Sequence, residues 1–146
     1  MRIPTLHLRT LCAPLLASCL LCSVLTGCSE EDKPLPIPEN VEVTQSAGSD
    51  QSEDMIIVTW DASTDIRVEG YAIYRAEQGV GSTEAEKTDS ELQAITFATS
   101  FKDTEIHTTE LYATVRYYYQ ITVIAEDGAR GPLSDEVEIE YTPLGQ

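Results

Sequence analysis

Nucleophilic and metal-binding chemistry starts from cysteine and histidine, and the chain holds 4 of the first and 2 of the second. His7, Cys12, Cys19 and Cys22 lie in an N-terminal stretch rich in leucine, so only Cys28 and His107 stand among polar residues. One imidazole in a polar link cannot supply the base, orienting group and ligands that triads and zinc sites need. Carboxylates present the opposite difficulty. Asp and Glu number 25, so close pairs recur throughout and none is marked out as an acid and its base. No Gly-x-Ser-x-Gly, phosphate loop or calcium-loop spacing occurs. Glu126, Asp127, Asp135 and Glu136 could together offer a calcium ion its oxygens, against the simpler reading of a solvated loop. Tyr74, Tyr112 and Tyr118 could stack a sugar, against cross-strand packing. The expectation is therefore no catalytic residue, no cofactor and no metal.

Cys28 is the exception, because its neighbours assign it a chemistry. Residues 1–27 read as an export signal: Arg2 and Arg9 near the start, an apolar run from Leu11 to Leu25, then small residues. Pro14 and Ser18 interrupt that run, which is short for a spanning helix of about 20 apolar residues. Its end, Leu25-Thr26-Gly27-Cys28, resembles the lipobox of bacterial lipoproteins. The resemblance implies diacylglyceryl transfer to the Cys28 thiol, cleavage before it and acylation of the new amino terminus. Each buried CH₂ contributes roughly 0.8 kcal/mol, so two or more acyl chains make a firm anchor. Cleavage would also remove the other three cysteines, leaving neither a disulfide nor a free thiol. Ser29 after the cysteine resembles an outer-membrane sorting signal, and Glu30-Glu31-Asp32 the surface-export signal of lipoproteins in Bacteroidota. Residues 28–37, with Pro34 and Pro36 near their end and Pro38 next, are expected to form an extended tether.

The formal charge is -16, from 25 acidic and 9 basic residues, and removal of Arg2 and Arg9 makes it more negative still. Nucleic-acid binding needs cations to neutralise phosphates, so it is excluded, and adsorption to anionic lipid is discouraged. Membrane attachment must then come from the lipid. The carboxylates read as a soluble exterior.

From residue 38 the chain alternates short apolar runs with polar turns, which predicts an all-β sandwich. The organising element is Val115 to Asp127. Val115, Tyr117, Tyr119, Ile121, Val123 and Ala125 share one face by the two-residue period, and Arg116, Gln120, Thr122 and Glu126 the other. Further strands are predicted over Asn40–Thr44, Met55–Trp60, Val68–Arg75, Leu92–Thr99, Ser100–Thr104 and Glu136–Tyr141. Ile56, Val58 and Trp60 should point inward, as should Tyr71 and Ile73, with Tyr74 outside. Ile95, Phe97 and Phe101 are the apolar residues of the middle strands. Gln45–Asp54 is read as a loop, and Glu77–Glu91 as an insertion or a functional loop, being long for a sandwich connection. Glu136, Glu138 and Glu140 form a carboxylate row suited to guarding a sheet from unwanted pairing.

Pro36-Ile37-Pro38-Glu39-Asn40-Val41, Val58-Thr59-Trp60-Asp61, Gly70-Tyr71-Ala72-Ile73-Tyr74-Arg75 and Tyr119 through Asp127, with Gly131 and Ser134 beyond, occur in an order and spacing that resemble a fibronectin type III domain. The resemblance implies a seven-stranded Greek-key β-sandwich, immunoglobulin-like and without a disulfide, over residues 38–142, leaving 143–146 as a tail. It implies a core built on Trp60, Tyr71, Ile73, Tyr119, Ile121 and Val123. Tyr119 is the first choice for the corner tyrosine whose hydroxyl bonds nearby backbone, and Tyr117, of the same parity, the second. Some adhesive members present Arg-Gly-Asp between the last two strands; here Arg130-Gly131 is followed by Pro132, so integrin binding does not carry over.

Together these features predict a monomeric, non-enzymatic module held at the cell envelope by lipid, at the outer membrane, making protein or glycan contacts. The rival expectation is an accessory carbohydrate-binding or adhesion component with a specific ligand site.

Overall fold

The computed structural model describes residues 33–47, 54–81, 83, 85–108 and 113–143. Seven strands follow in order: β1 Glu42–Ala47, β2 Asp54–Thr59, β3 Val68–Val80, β4 Glu91–Thr96, β5 Ser100–Asp103, β6 Thr114–Ala125 and β7 Val137–Tyr141. All pairings are antiparallel and make two sheets, β1-β2-β5 and β4-β3-β6-β7. The leader, Cys28 and Tyr112 lie outside the described residues.

β6 is the centre of the larger sheet, with β3 on one side and β7 on the other. Its inward residues Val115, Tyr117, Tyr119, Ile121 and Val123 are buried, as alternation requires. They meet Ile56, Val58 and Trp60 from β2 and its end, and Tyr71 and Ile73 from β3. The Trp60 and Tyr71 rings pack edge to face, 5.3 Å apart and inclined at 64°. The strand ends at Ala125 because Gly128, at φ 82°, closes a turn in the left-handed region that a side chain would resist.

Several elements differ from the sequence expectation, each for a local reason. The first strand begins at Glu42 and not Asn40, because Asn40 has φ 53° and breaks the extension, its amide donating to Asp61 Oδ2 at 2.6 Å. β1 also runs three residues further into the predicted 45–54 loop than alternation indicated, to Ala47, and β2 one residue further, from Asp54. β3 does not stop at Arg75. β6 extends back to Thr114 and offers a partner to each of Glu77, Gln78, Gly79 and Val80, so these residues belong to the sheet rather than to a loop.

The tether expected over residues 28–37 is packed from Lys33 onward. Arg67 donates to the Lys33 and Pro34 carbonyls at 2.6 and 3.3 Å, Leu35 packs against the core, and Pro38 is buried. Proline-rich chain makes no internal hydrogen bonds, which leaves its carbonyls free for a neighbour such as this guanidinium. Gly131 accommodates the docked segment: a Cβ there would lie 2.7 Å from Val123 Cγ2 and 3.2 Å from Leu35 Cβ.

Candidate functional site

Around Asp103 the polar groups inside the sandwich are engaged with one another. Asp103, 2% exposed, ends β5 and receives Arg75 Nη1 on both oxygens at 2.9 and 2.8 Å. Its Oδ2 also accepts the Tyr119 hydroxyl at 2.8 Å, and its Oδ1 the Glu105 amide at 3.0 Å. A carboxylate so occupied holds strands together and has no lone pair directed at a ligand. Burial, then the charge of Asp103, push the Tyr119 phenol pKa up, so the hydroxyl stays protonated as a donor.

Tyr119 is therefore not the corner tyrosine. That role falls to Tyr117, whose hydroxyl donates to the His107 carbonyl at 3.0 Å and accepts the His107 amide at 2.9 Å. The two tyrosines share a face, so alternation could not separate them; which hydroxyl reaches backbone depends on where the 104–108 link passes. Replacing Tyr117 with Phe should strand both His107 groups and lower unfolding free energy by about 1–2 kcal/mol. Urea titration measures it, and a loss below about 0.5 kcal/mol would remove the corner role.

The outer face of the β4-β3-β6-β7 sheet carries the remaining candidate residues, and it is divided. In one half, the connection after β3 folds back, with Ala85 N donating to Gly79 O and Thr88 N to Glu77 O. This places Lys87 Nζ 3.8 Å from the Tyr118 ring centroid and 2.6 Å from both Glu136 oxygens, across β6. Arg116 and Glu140 pair beside it at 2.5 Å. Tyr118 is thus 8% exposed although it sits on the face read as outward, and its hydroxyl donates to Gln78 Oε1 at 2.6 Å. Residues 77–80 thus extend β3, and 85–88 fold back over the sheet.

The other half carries no such strap among the described residues. β4 skips a residue against β3: Ala72 pairs with Ile95, Ile73 with Ala94, and Tyr74 with Leu92, so Gln93 bulges. Leu92 and Ile95, three apart and destined for opposite faces of a regular strand, both turn outward. Phe97 follows, 81% exposed, its ring 3.6 Å from where a Gly70 Cβ would stand. Arg130, bridged to Ile124, lies over the Tyr74 ring and donates to its hydroxyl. Sequence reasoning missed this surface because a bulge leaves no mark in alternation, and Ile95 and Phe97 look like ordinary core residues.

Of the three tyrosines weighed as a sugar platform against cross-strand packing, Tyr118 is roofed by Lys87 and Tyr74 by Arg130, while Tyr112 lies outside the described residues. The proposed calcium ligands do not converge. Glu136 is tied to Lys87, Asp127 Oδ1 accepts the Ala129 amide at 2.8 Å, and no group of three such ligands that could hold a metal ion occurs among the described residues. At the end where the tether docks, Arg67 holds the Asp65 carboxyl down to about 2 through a 2.7 Å contact. No helix long and apolar enough to cross a membrane occurs among the described residues.

No family model matches the sequence, and no curated protein matches it. Among solved structures, the third fibronectin III domain of human KIAA0343 protein is similar over 85% of this chain and 94% of its own, with 22% identity and a TM-score of 0.56. The fn3 domain of human contactin 1 is similar over 77% and 82%, with 18% identity and a TM-score of 0.50. The strand order, the three-plus-four division of the sheets and this likeness agree: the described residues form a seven-stranded β-sandwich of the fibronectin type III, immunoglobulin-like fold.

Proposed function

We propose that this chain is a lipid-anchored, non-enzymatic module of the cell envelope that presents its sandwich for contact with other molecules. One observation carries the contact reading: the buried polar groups around Asp103 are spent on one another, while large apolar side chains stand exposed on half of one sheet face. Catalysis needs convergent polar groups in a recess; a contact surface needs apolar area that water would rather leave. Support for the anchor comes from Leu25-Thr26-Gly27-Cys28 behind a charged-then-apolar leader. The docked Lys33–Pro38 segment shortens the leash. Cys28 to Lys33 reaches at most roughly 18 Å at about 3.5 Å per residue, so the sandwich is held near the bilayer by the end that carries Arg67. Ser29 and the acidic residues after it support an outer-membrane position over an inner-membrane one.

The test is Cys28→Ala in the full chain. Labelled palmitate should no longer be incorporated and the protein should leave the membrane fraction; unchanged labelling and retention would overturn the anchor.

A further inference from the structure

We propose that the end of the sandwich where the tether docks is a lipid-contacting end, which seats Ile66 and Phe97 in the zwitterionic headgroup layer of the bilayer that holds Cys28. The inference rests on the lipid anchor proposed above. Strand register defines this end: Glu42 of β1 pairs with Thr59 of β2, Thr59 with Ser100 of β5, Tyr71 of β3 with Thr96 of β4, and Val68 of β3 with Ala125 of β6. The connections that close it carry the two most exposed large apolar side chains among the described residues, Ile66 at 91% and Phe97 at 81%. Ile66 stands on the 61–67 connection and lines a recess with Lys33 and Arg67, where the docked segment begins. Phe97 stands on the turn after β4, beside Gly70. The Thr99 carbonyl of that turn accepts the amide of Trp60, at the head of the 61–67 connection, at 3.1 Å.

The leash selects the occupant. From Cys28 to Lys33 the chain spans at most roughly 18 Å, so this end stays beside the surface to which the lipid is fixed. The far end is out of reach, since the 13 residues of β3 carry the sheet about 40 Å away. Two apolar side chains would not hold a free protein to lipid. Anchoring makes their encounter intramolecular, at an effective concentration on the order of mM for a short linker, and a weak insertion is then populated. Charge selects the lipid. Glu39, Asp61, Glu69, Glu126 and Asp127 are exposed on these connections and strand ends, against Lys33, Arg67 and Arg130. Arg67 is held by Asp65 and Arg130 lies on Tyr74, while Glu30, Glu31 and Asp32 add to the acidic side from the leash. Anionic headgroups would be repelled, and headgroups without net charge would not.

The experiment reconstitutes the lipidated chain in vesicles of phosphatidylcholine and phosphatidylethanolamine, with a fluorescent dye on Thr64→Cys or, at the far end, on Asp89→Cys. Acylation consumes the Cys28 thiol, so the introduced cysteine is the one that takes the dye. Lipids bearing a nitroxide at the top of the acyl chain should quench the dye at position 64 about five-fold more than the dye at position 89. Ile66→Ser/Phe97→Ser should abolish most of that difference while the protein still floats with the vesicles. Exchanging part of the phosphatidylcholine for phosphatidylglycerol should weaken the quenching. Equal quenching at both positions, a signal at 64 that survives Ile66→Ser/Phe97→Ser, or one that phosphatidylglycerol strengthens would overturn the proposal. An unquenched dye on protein that floats with the vesicles would remove the lipid-contacting end while the anchor stands. Protein that does not float would remove both.

Discussion

Asp103→Ala should lower the unfolding free energy by about 3–5 kcal/mol, the range for deleting one partner of a buried ion pair. The loss exceeds that of a surface pair, worth about 0–1 kcal/mol, because the groups left behind are not free to rehydrate. Arg75, whose side chain is 12% exposed, would keep its charge without a counterion, and the Tyr119 hydroxyl and Glu105 amide would lose their acceptor. The network also joins β5 of the smaller sheet to β3 and β6 of the larger, so its loss separates the layers as well as desatisfying them. A second substitution tells this cause from a simple cavity. Tyr119→Phe should cost about 1 kcal/mol in the native background and close to nothing beside Asp103→Ala, since the hydroxyl then has no partner to lose. Additive losses in urea titrations would show that the bond does not contribute.

Trp60→Ala should cost a further class of stability, about 3–5 kcal/mol, for a different reason. The indole is 5% exposed, touches Tyr71 edge-on, and stands where the β2 face turns into the core. Truncation leaves a void between the sheets that neither can close without shifting its strands. Trp60→Phe should be much milder, below about 1.5 kcal/mol: it keeps most of the volume and deletes an indole N–H that has no hydrogen-bond partner among the described residues. Thermal unfolding followed by circular dichroism suits both, because each substitution removes the single tryptophan. A Trp60→Ala midpoint within about 4 °C of the native one, less than 1 kcal/mol here, would contradict the core role.

The inward faces were legible because alternation in β2, β3 and β6 is a direct consequence of pleated backbone. Ile56, Val58, Trp60, Tyr71, Ile73, Tyr117, Tyr119, Ile121 and Val123 can point only one way once the strands are placed. Alternation says nothing about what covers the opposite face. Alternation places Tyr118 and Thr122 on the outward face, yet both are buried, one under Lys87 and the other with its hydroxyl on the Gly131 carbonyl at 2.6 Å. The candidate surface was invisible for the same reason. Leu92 and Ile95 share a face only through a one-residue slip against β3.

By itself, then, the sequence determined the class of fold and the inward side of each long strand, because both follow from local spacing along the chain. Tertiary structure decided which tyrosine braces the corner, that the proline segment docks on Arg67, and which half of a sheet face stays open. Those outcomes depend on distances between residues 10 to 49 positions apart or more, as with Tyr117 and His107 or Lys87 and Glu136, and the two-residue period carries no information at that range.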